Sequence, residues 1–391
     1  LSMEQLTDNY QRNALHWACT IGNIQAANML GSLTPMLHDT VRRPAHLPNL
    51  SHPSLSFSLT LAHSVLPHLQ YWKKRTTLHS TVELPYERLI GDQEDQLVEW
   101  VLAHPGVDAL AADQDGATPL HLAAATGRHG ALSVLLNHLV KLVQTKAAFK
   151  HILDVGDALG RSPLAYAAAF NKHQTFSLLL EYGASIIAVD HQGWSVAHHA
   201  ARSAAIDILE IISQRSPALL QFETAKLRVT PCHLATRLLQ HHEGVLWFLE
   251  HHADLATKLD LNHRTVLHYA SASGAAVPVK MLLGTFPQLL AARDRPYQRL
   301  ALHYAALNGR LECLEECLGA GSDPNDADAH GRTALHFAAS KGRHRLVEAL
   351  IQAKANVNLL DREGLSALHL AVAAQSYVLR RACAYAAELL P

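Results

Sequence analysis

The chain has 391 residues, with 33 basic against 34 acidic side chains and a net charge of -1. No global basic field therefore recommends nucleic acid or an anionic membrane as its main partner. Apolar residues make up 49% and charged residues 17% of the chain, which excludes general disorder and supports a large core.

The five cysteines, odd in number and thinly spread, make no disulfide framework. They point to a reducing compartment, the cytoplasm, with the nucleus as the alternative. Leu1-Ser2-Met3-Glu4 carries no basic n-region or apolar stretch, so no signal peptide is read there. A first residue other than Met is consistent with a piece of a longer protein.

In chain order, residues 1–38 hold one copy of a pattern that returns later, centred on His16. Residues 39–75 follow as an irregular insertion rich in Ser, His, Pro and Leu, bounded by Arg42-Arg43 and Lys73-Lys74-Arg75. From Pro44 to Trp72 the insertion has no Asp, Glu, Lys or Arg, long enough for a membrane span. Pro44, Pro48, Pro53 and Pro67, with four histidines among them, are poor material for a lipid-facing helix, whose backbone must satisfy its own hydrogen bonds. The stretch reads as a linker, and no direct membrane span is expected.

Residues 76–391 are an array of about nine units, the first degenerate. Its signature is T-x-L-H, as in Thr118-Pro119-Leu120-His121, Thr265-Val266-Leu267-His268 and Thr333-Ala334-Leu335-His336. With relaxed copies included, the frame residues from Ala165 to His369 are spaced 33, 35, 35, 35, 33 and 33. An Asp stands eight places before the frame residue in seven of ten copies, including Asp113, Asp157, Asp190, Asp260, Asp328 and Asp361, and Asp294 misses by one. Gly follows six places after it at Gly127, Gly274, Gly309 and Gly342.

Each unit then reads as a short Ala-rich helix, a turn, and a second apolar helix such as Leu346, Val347, Leu350 and Ile351. Such a hairpin cannot bury its apolar face alone and must stack on its neighbours. Between His121 and Ala165 the period grows to 44, so about eleven residues are expected to lengthen the second helix or its loop near Leu139–Val155. Tyr377–Leu390 reads as a closing helix that caps the array.

The stretch Asp328–Ala339, D-A-H-G-R-T-A-L-H-F-A-A, resembles the ankyrin repeat, and the likeness extends over residues 5–38 and 76–391. It implies an all-α ankyrin-repeat α-solenoid, helix-turn-helix units with β-hairpin or turn fingers. In that family the frame histidine hydrogen-bonds between repeats, which accounts for nine of the 28 histidines. The resemblance also implies a non-catalytic scaffold or adaptor that binds partner proteins through fingertips and a concave groove, as a monomeric array. Two further readings are kept: a regulatory or targeting subunit of a serine/threonine phosphatase, and the cytosolic ankyrin region of a larger channel or multidomain protein.

No cofactor, metal or catalytic centre is expected. Cys313 and Cys317 sit four apart on an apolar helix and read as core thiols. Histidine doublets such as His198-His199 splay about 100° apart on a helix, poor for chelating one ion. Gly193-Trp194-Ser195-Val196-Ala197 lacks the second Gly of a nucleophile elbow, and Ser195 reads as a helix cap.

Partner-binding candidates fall in two columns. Four places before the frame, near a turn tip, stand Arg12, Arg75, Arg161, Arg264, Arg299 and Arg332, with Trp194 in the same slot and Tyr297 two residues before Arg299. The groove column holds Arg202, Arg237, Leu307 and Lys341. Large aromatics at turn tips suit contact anchors, and a basic column suits an acidic partner segment.

Overall fold

The computed structural model describes residues 76–83, 98–99, 101–103, 107–143, 145–236 and 242–373. The expected N-terminal repeat, the insertion at 39–75, Arg12, Arg75, Arg237 and the closing helix at 377–390 lie outside the described residues. The chain divides into two compact units, Leu1–His191 and Gln192–Pro391.

In the first unit the described helices are α1 (Thr77–Glu83), α2 (Pro119–Thr126), α3 (His129–Leu142), α4 (Lys146–Leu153), α5 (Pro163–Ala169) and α6 (His173–Glu181). The second holds α7 (Val196–Arg202), α8 (Ile206–Arg215), α9 (Pro231–Ala235), α10 (Glu243–His251), α11 (Val266–Ser273), α12 (Ala276–Thr285), α13 (Ala301–Asn308), α14 (Leu311–Gly319), α15 (Ala334–Ser340), α16 (His344–Gln352) and α17 (Ala367–Ala373). Each unit is thus a stack of helical hairpins, the all-α repeat architecture of an ankyrin-type solenoid. Among the described residues no helix is long and apolar enough to cross a membrane.

The two helices of a hairpin differ because their environments differ. First helices are enclosed: in α15, Ala334, Leu335, His336, Phe337, Ala338 and Ala339 are all buried. Their alanines let the neighbouring first helices α13 and α17 approach on either side. Second helices are amphipathic, and α16 buries Leu346, Val347 and Leu350 while Arg345 and Glu348 face water. Full burial of a leucine such as Leu350, 0% exposed, contributes about 2 kcal/mol.

The period of 35 has a physical cause. After α8, α10 and α12 the chain makes an extra 3-10 turn, at Pro217–Leu220, Ala253–Thr257 and Pro287–Ala291. These turns drop Leu219, Leu220, Leu255 and Leu289 into the core. The repeats spaced at 33 pass from second helix to finger through a plain turn.

The long period between His121 and Ala165 resolves differently from expectation. α3 does run to 14 residues, but the added chain then forms a separate helix, α4. Thr145 starts it by accepting a hydrogen bond from the Ala148 N–H at 3.3 Å. Leu153 anchors it, fully buried, and Phe149 packs tilted on Tyr182 at 6.3 Å.

Candidate functional site

The surface that the repeats present is built from the finger upward. Asp157 opens a finger by accepting, through Oδ1, the N–H groups of Leu159 at 2.9 Å and Arg161 at 2.8 Å. Asp113, Asp260, Asp328 and Asp361 do the same for the residues two and four places on. A short side chain with an acceptor oxygen is needed here, because it can fold back onto its own backbone and replace lost peptide hydrogen bonds. The third residue turns left-handed, at Gly160 with φ 77° and Gly331 with φ 75°, and at His263 with φ 56° despite its side chain.

The fingers that broke the Asp rule are longer by one residue. Asp294 accepts from the Arg299 N–H, five places on, and Gln298 takes up the extra turn at φ 56°. In the finger before the His233 frame, Thr224 replaces Asp and its hydroxyl accepts the Val229 N–H at 3.0 Å. Single antiparallel bridges close two fingers, Ala327 with Thr333 and Leu360 with Ser366.

At the foot of most fingers a frame histidine ties hairpin to hairpin, Ala165 standing in that position after the Asp157 finger. In the His121 copy, Nδ1 accepts the Thr118 backbone N–H at 3.0 Å and lies 2.9 Å from the Thr118 hydroxyl. Nε2–H then donates to the Arg161 carbonyl of the next repeat at 2.9 Å. Among the described residues His79, His198, His233, His268, His303 and His336 make the same crossing at 2.9 to 3.3 Å. Leu300, which has no hydroxyl, still donates its N–H to His303 at 3.0 Å.

This arrangement needs a neutral ring, since protonating Nδ1 would turn an acceptor against a fixed donor. Burial lowers the pKa of His121, His233 and His303 to about 4, and lowers those of His268 and His336.

The arginine column stands at the base of the fingers rather than at the tip. Asp157 N–H donates to the Arg161 carbonyl at 3.0 Å, so the two residues close the turn and 158–160 form its tip. The guanidinium of Arg161 donates to Asp157 Oδ2 at 2.6 Å and to the Tyr166 hydroxyl at 3.0 Å, while that hydroxyl donates to the same carboxylate at 2.8 Å. Arg264 repeats this clamp with Asp260 and Tyr269.

Burial opposes the charge on Asp157 and Asp260, yet these hydrogen bonds outweigh it and hold both carboxyls below their usual range. Arg332 pairs with Asp328 at 3.1 Å and lies 5.0 Å over the Phe337 ring. Arg299 reaches across to Asp328 at 3.4 Å, stacked 4.4 Å from Tyr297. Asp294 is left to Tyr304, whose hydroxyl donates to it at 2.8 Å. Three buried carboxylates thus pair with the four arginines, Asp328 being shared by Arg299 and Arg332.

Trp194 and Arg202, assigned to different columns on sequence, come together: the guanidinium sits 5.5 Å from the indole, which also packs on His199 at 5.4 Å. Tyr297 is at a true tip and 41% exposed, set edge-on to His330. Lys341 is exposed where α15 ends, and Leu307 is half-buried on α13. Shallow grooves separate finger from first helix. One of about 390 Å³ is lined by Asp115, Leu122, Thr126, Tyr166 and Phe170, and one of about 260 Å³ by His330, Arg332, Phe337, Ser340 and Leu365.

Exposed apolar side chains at the tips, Leu159, Leu227 and Leu261 at 47%, 47% and 54%, escaped the sequence reading. Their only signal was an apolar residue one to three places after the finger Asp or its substitute, where polar residues are the rule.

No chemistry converges elsewhere among the described residues. Ser195 is buried as the N-cap of α7, its hydroxyl 2.9 Å from His198 Nδ1. Cys232, Cys313 and Cys317 are buried thiols pushed up to about 12 by burial. Among the described residues no three His, Cys, Asp or Glu side chains form a group able to hold a metal ion.

The family model described as ankyrin repeats (3 copies) matches residues 89–186, 139–219 and 302–384, together more than half of the chain. No curated protein matches it.

Proposed function

Because this chain belongs to the ankyrin-repeat family, whose repeats are generally protein–protein interaction modules, we propose that it is a non-catalytic scaffold or adaptor that works as a monomeric array. Its partners dock on the fingers and on the groove beside the first helices. The contacts are drawn from Trp194 and Tyr297, from the exposed edges of Arg161, Arg264, Arg299 and Arg332, and from Arg202, Arg237 and Lys341.

The observation that carries this reading is rigidity. The described fingers are held by an Asp or Thr, seven frame histidines tie hairpin to hairpin, and the arginines are pinned by buried carboxylates. A surface ordered before binding loses little conformational entropy when a partner arrives. A few anchored aromatics and arginines can then supply most of the affinity.

The test is photo-crosslinking with the full chain in cell extract. A benzophenone side chain at Trp194, Tyr297 or Lys341 should yield discrete adducts, and one at Glu348, on the outer face of α16, should not. Equal labelling from all four positions, or none from any, would refute the scaffold reading.

A further inference from the structure

The clamps offset most of the charge of the arginine column, and further positive charge at the fingers of Gln192–Pro391 comes from other residues. Three consecutive fingers, at 224–229, 258–264 and 293–299, expose Lys226, Lys258 and Arg295. Among the described residues these three have no salt-bridge partner. Apart from Asp254, exposed four residues before Lys258, the acids around them are engaged. Glu223 accepts from Arg228 at 2.7 Å, Asp260 is clamped by Arg264, Asp294 is buried against Tyr304, and Asp326 holds Arg293 at 2.7 Å.

Beside each free cation stands a large apolar side chain facing water: Leu227 at 47%, Leu261 at 54% and Tyr297 at 41% exposure. The tips are also joined to one another. Leu261 N–H donates to the Leu227 carbonyl at 2.8 Å and Arg295 N–H to the Asn262 carbonyl at 2.7 Å. Cation and apolar group thus alternate along one hydrogen-bonded ladder with no free carboxylate in its fingers.

We propose that this ladder is the docking edge for an acidic, extended segment of a partner protein that carries apolar side chains between its carboxylates. The proposal rests on the scaffold reading above and names the partner's chemistry. Three unneutralised cations attract carboxylates and favour encounter, while Leu227, Leu261 and Tyr297 gain only if apolar groups cover them. A single aromatic among two leucines is poor for stacking successive bases, and three charges are few for tracking a phosphate backbone. The observations therefore favour a protein segment over a nucleic acid.

The test measures fluorescence anisotropy of short labelled peptides on the full chain: alternating Glu and Leu, the Gln/Leu and Lys/Leu counterparts, and Glu/Ser. Expected is saturable binding of the Glu/Leu peptide, about tenfold tighter than Gln/Leu or Glu/Ser and weakened by salt. Lys226→Glu/Lys258→Glu should lose about tenfold through charge, and Leu227→Ser/Leu261→Ser a similar amount with little change in salt dependence. These residues are exposed and outside the clamps, so far-UV circular dichroism should be unchanged.

The proposal is overturned if Lys/Leu or Gln/Leu binds as well as Glu/Leu, if no peptide saturates, or if neither variant weakens binding. It is equally overturned if oligothymidylate or phosphatidylserine vesicles bind this edge and displace the peptide. Crosslinking from Lys341 separates the two levels. Adducts there with no peptide binding at the tips would sink this inference alone, and no adducts anywhere would sink both.

Discussion

Lowering the pH from ~7.5 to ~5.5 should destabilise the fold through the buried histidines while their bridges stay intact. His121, His233 and His303 have pKa values of about 4 because burial excludes the charged ring, against ~6.5 in the unfolded chain. The native state then binds fewer protons than the unfolded one. Stability is complete above the unfolded value and drains away as pH falls from there toward the native value. At pH ~5.5 each of these rings withdraws about 1.4 kcal/mol, on the order of 4 kcal/mol for the three. His268 and His336 act in the same direction.

The clamped carboxyls Asp157, Asp260 and Asp328 lie below their usual range, so their contribution is lost only at still lower pH. The loss is uneven. His121 belongs to Leu1–His191, and His233, His268, His303 and His336 to Gln192–Pro391, so the second unit should lose more than the first. Urea unfolding followed by circular dichroism at several pH values reads this directly, with midpoints moving at constant slope. Replacing His233 and His303 by Gln should flatten the pH dependence of the second unit. Equal or greater stability at pH ~5.5 than at ~7.5 would refute the neutral-bridge argument.

Other outcomes follow from the clamps, turns and thiols. Tyr269→Phe removes the hydroxyl that donates to Asp260 and accepts from Arg264, and should cost about 1 to 2 kcal/mol in urea unfolding; no loss would show that the clamp is slack. His263→Gly should raise stability by up to about 1 kcal/mol, because His263 holds a left-handed backbone that Gly adopts without strain; a decrease would mean that its side chain matters more than its backbone. Cys232, Cys313 and Cys317, buried with thiols near 12, should resist a thiol reagent at neutral pH in the native chain and react in urea, and native labelling by mass spectrometry would contradict their burial.

Much of the architecture was legible in the linear chain because repetition makes local signals add. The T-x-L-H frame, the Asp eight places before it and the Ala-rich helix recur in register, and each is a local device: an N-cap, a side-chain turn, a close-packing surface. The long period at 121–165 showed the length of the added chain without its form, since Leu153 and Phe149 reveal α4 only through what they pack against.

The site was less legible for the same reason. A column of arginines four places before the frame reads as basic surface in sequence. The Asp four residues before Arg161, Arg264 and Arg332 folds beneath each guanidinium and meets its charge, and Arg299 crosses to share Asp328. Free charge then lies on Lys226, Lys258 and Arg295, which follow no repeat frame. The sequence by itself determined the repeat, its helices and its turns, because those depend on neighbours within a few residues. Which side chains face water, and the ties that cross repeats, such as Arg299 to Asp328 and His121 to Arg161, were decided by contacts between residues far apart in the chain, and so only by the tertiary structure.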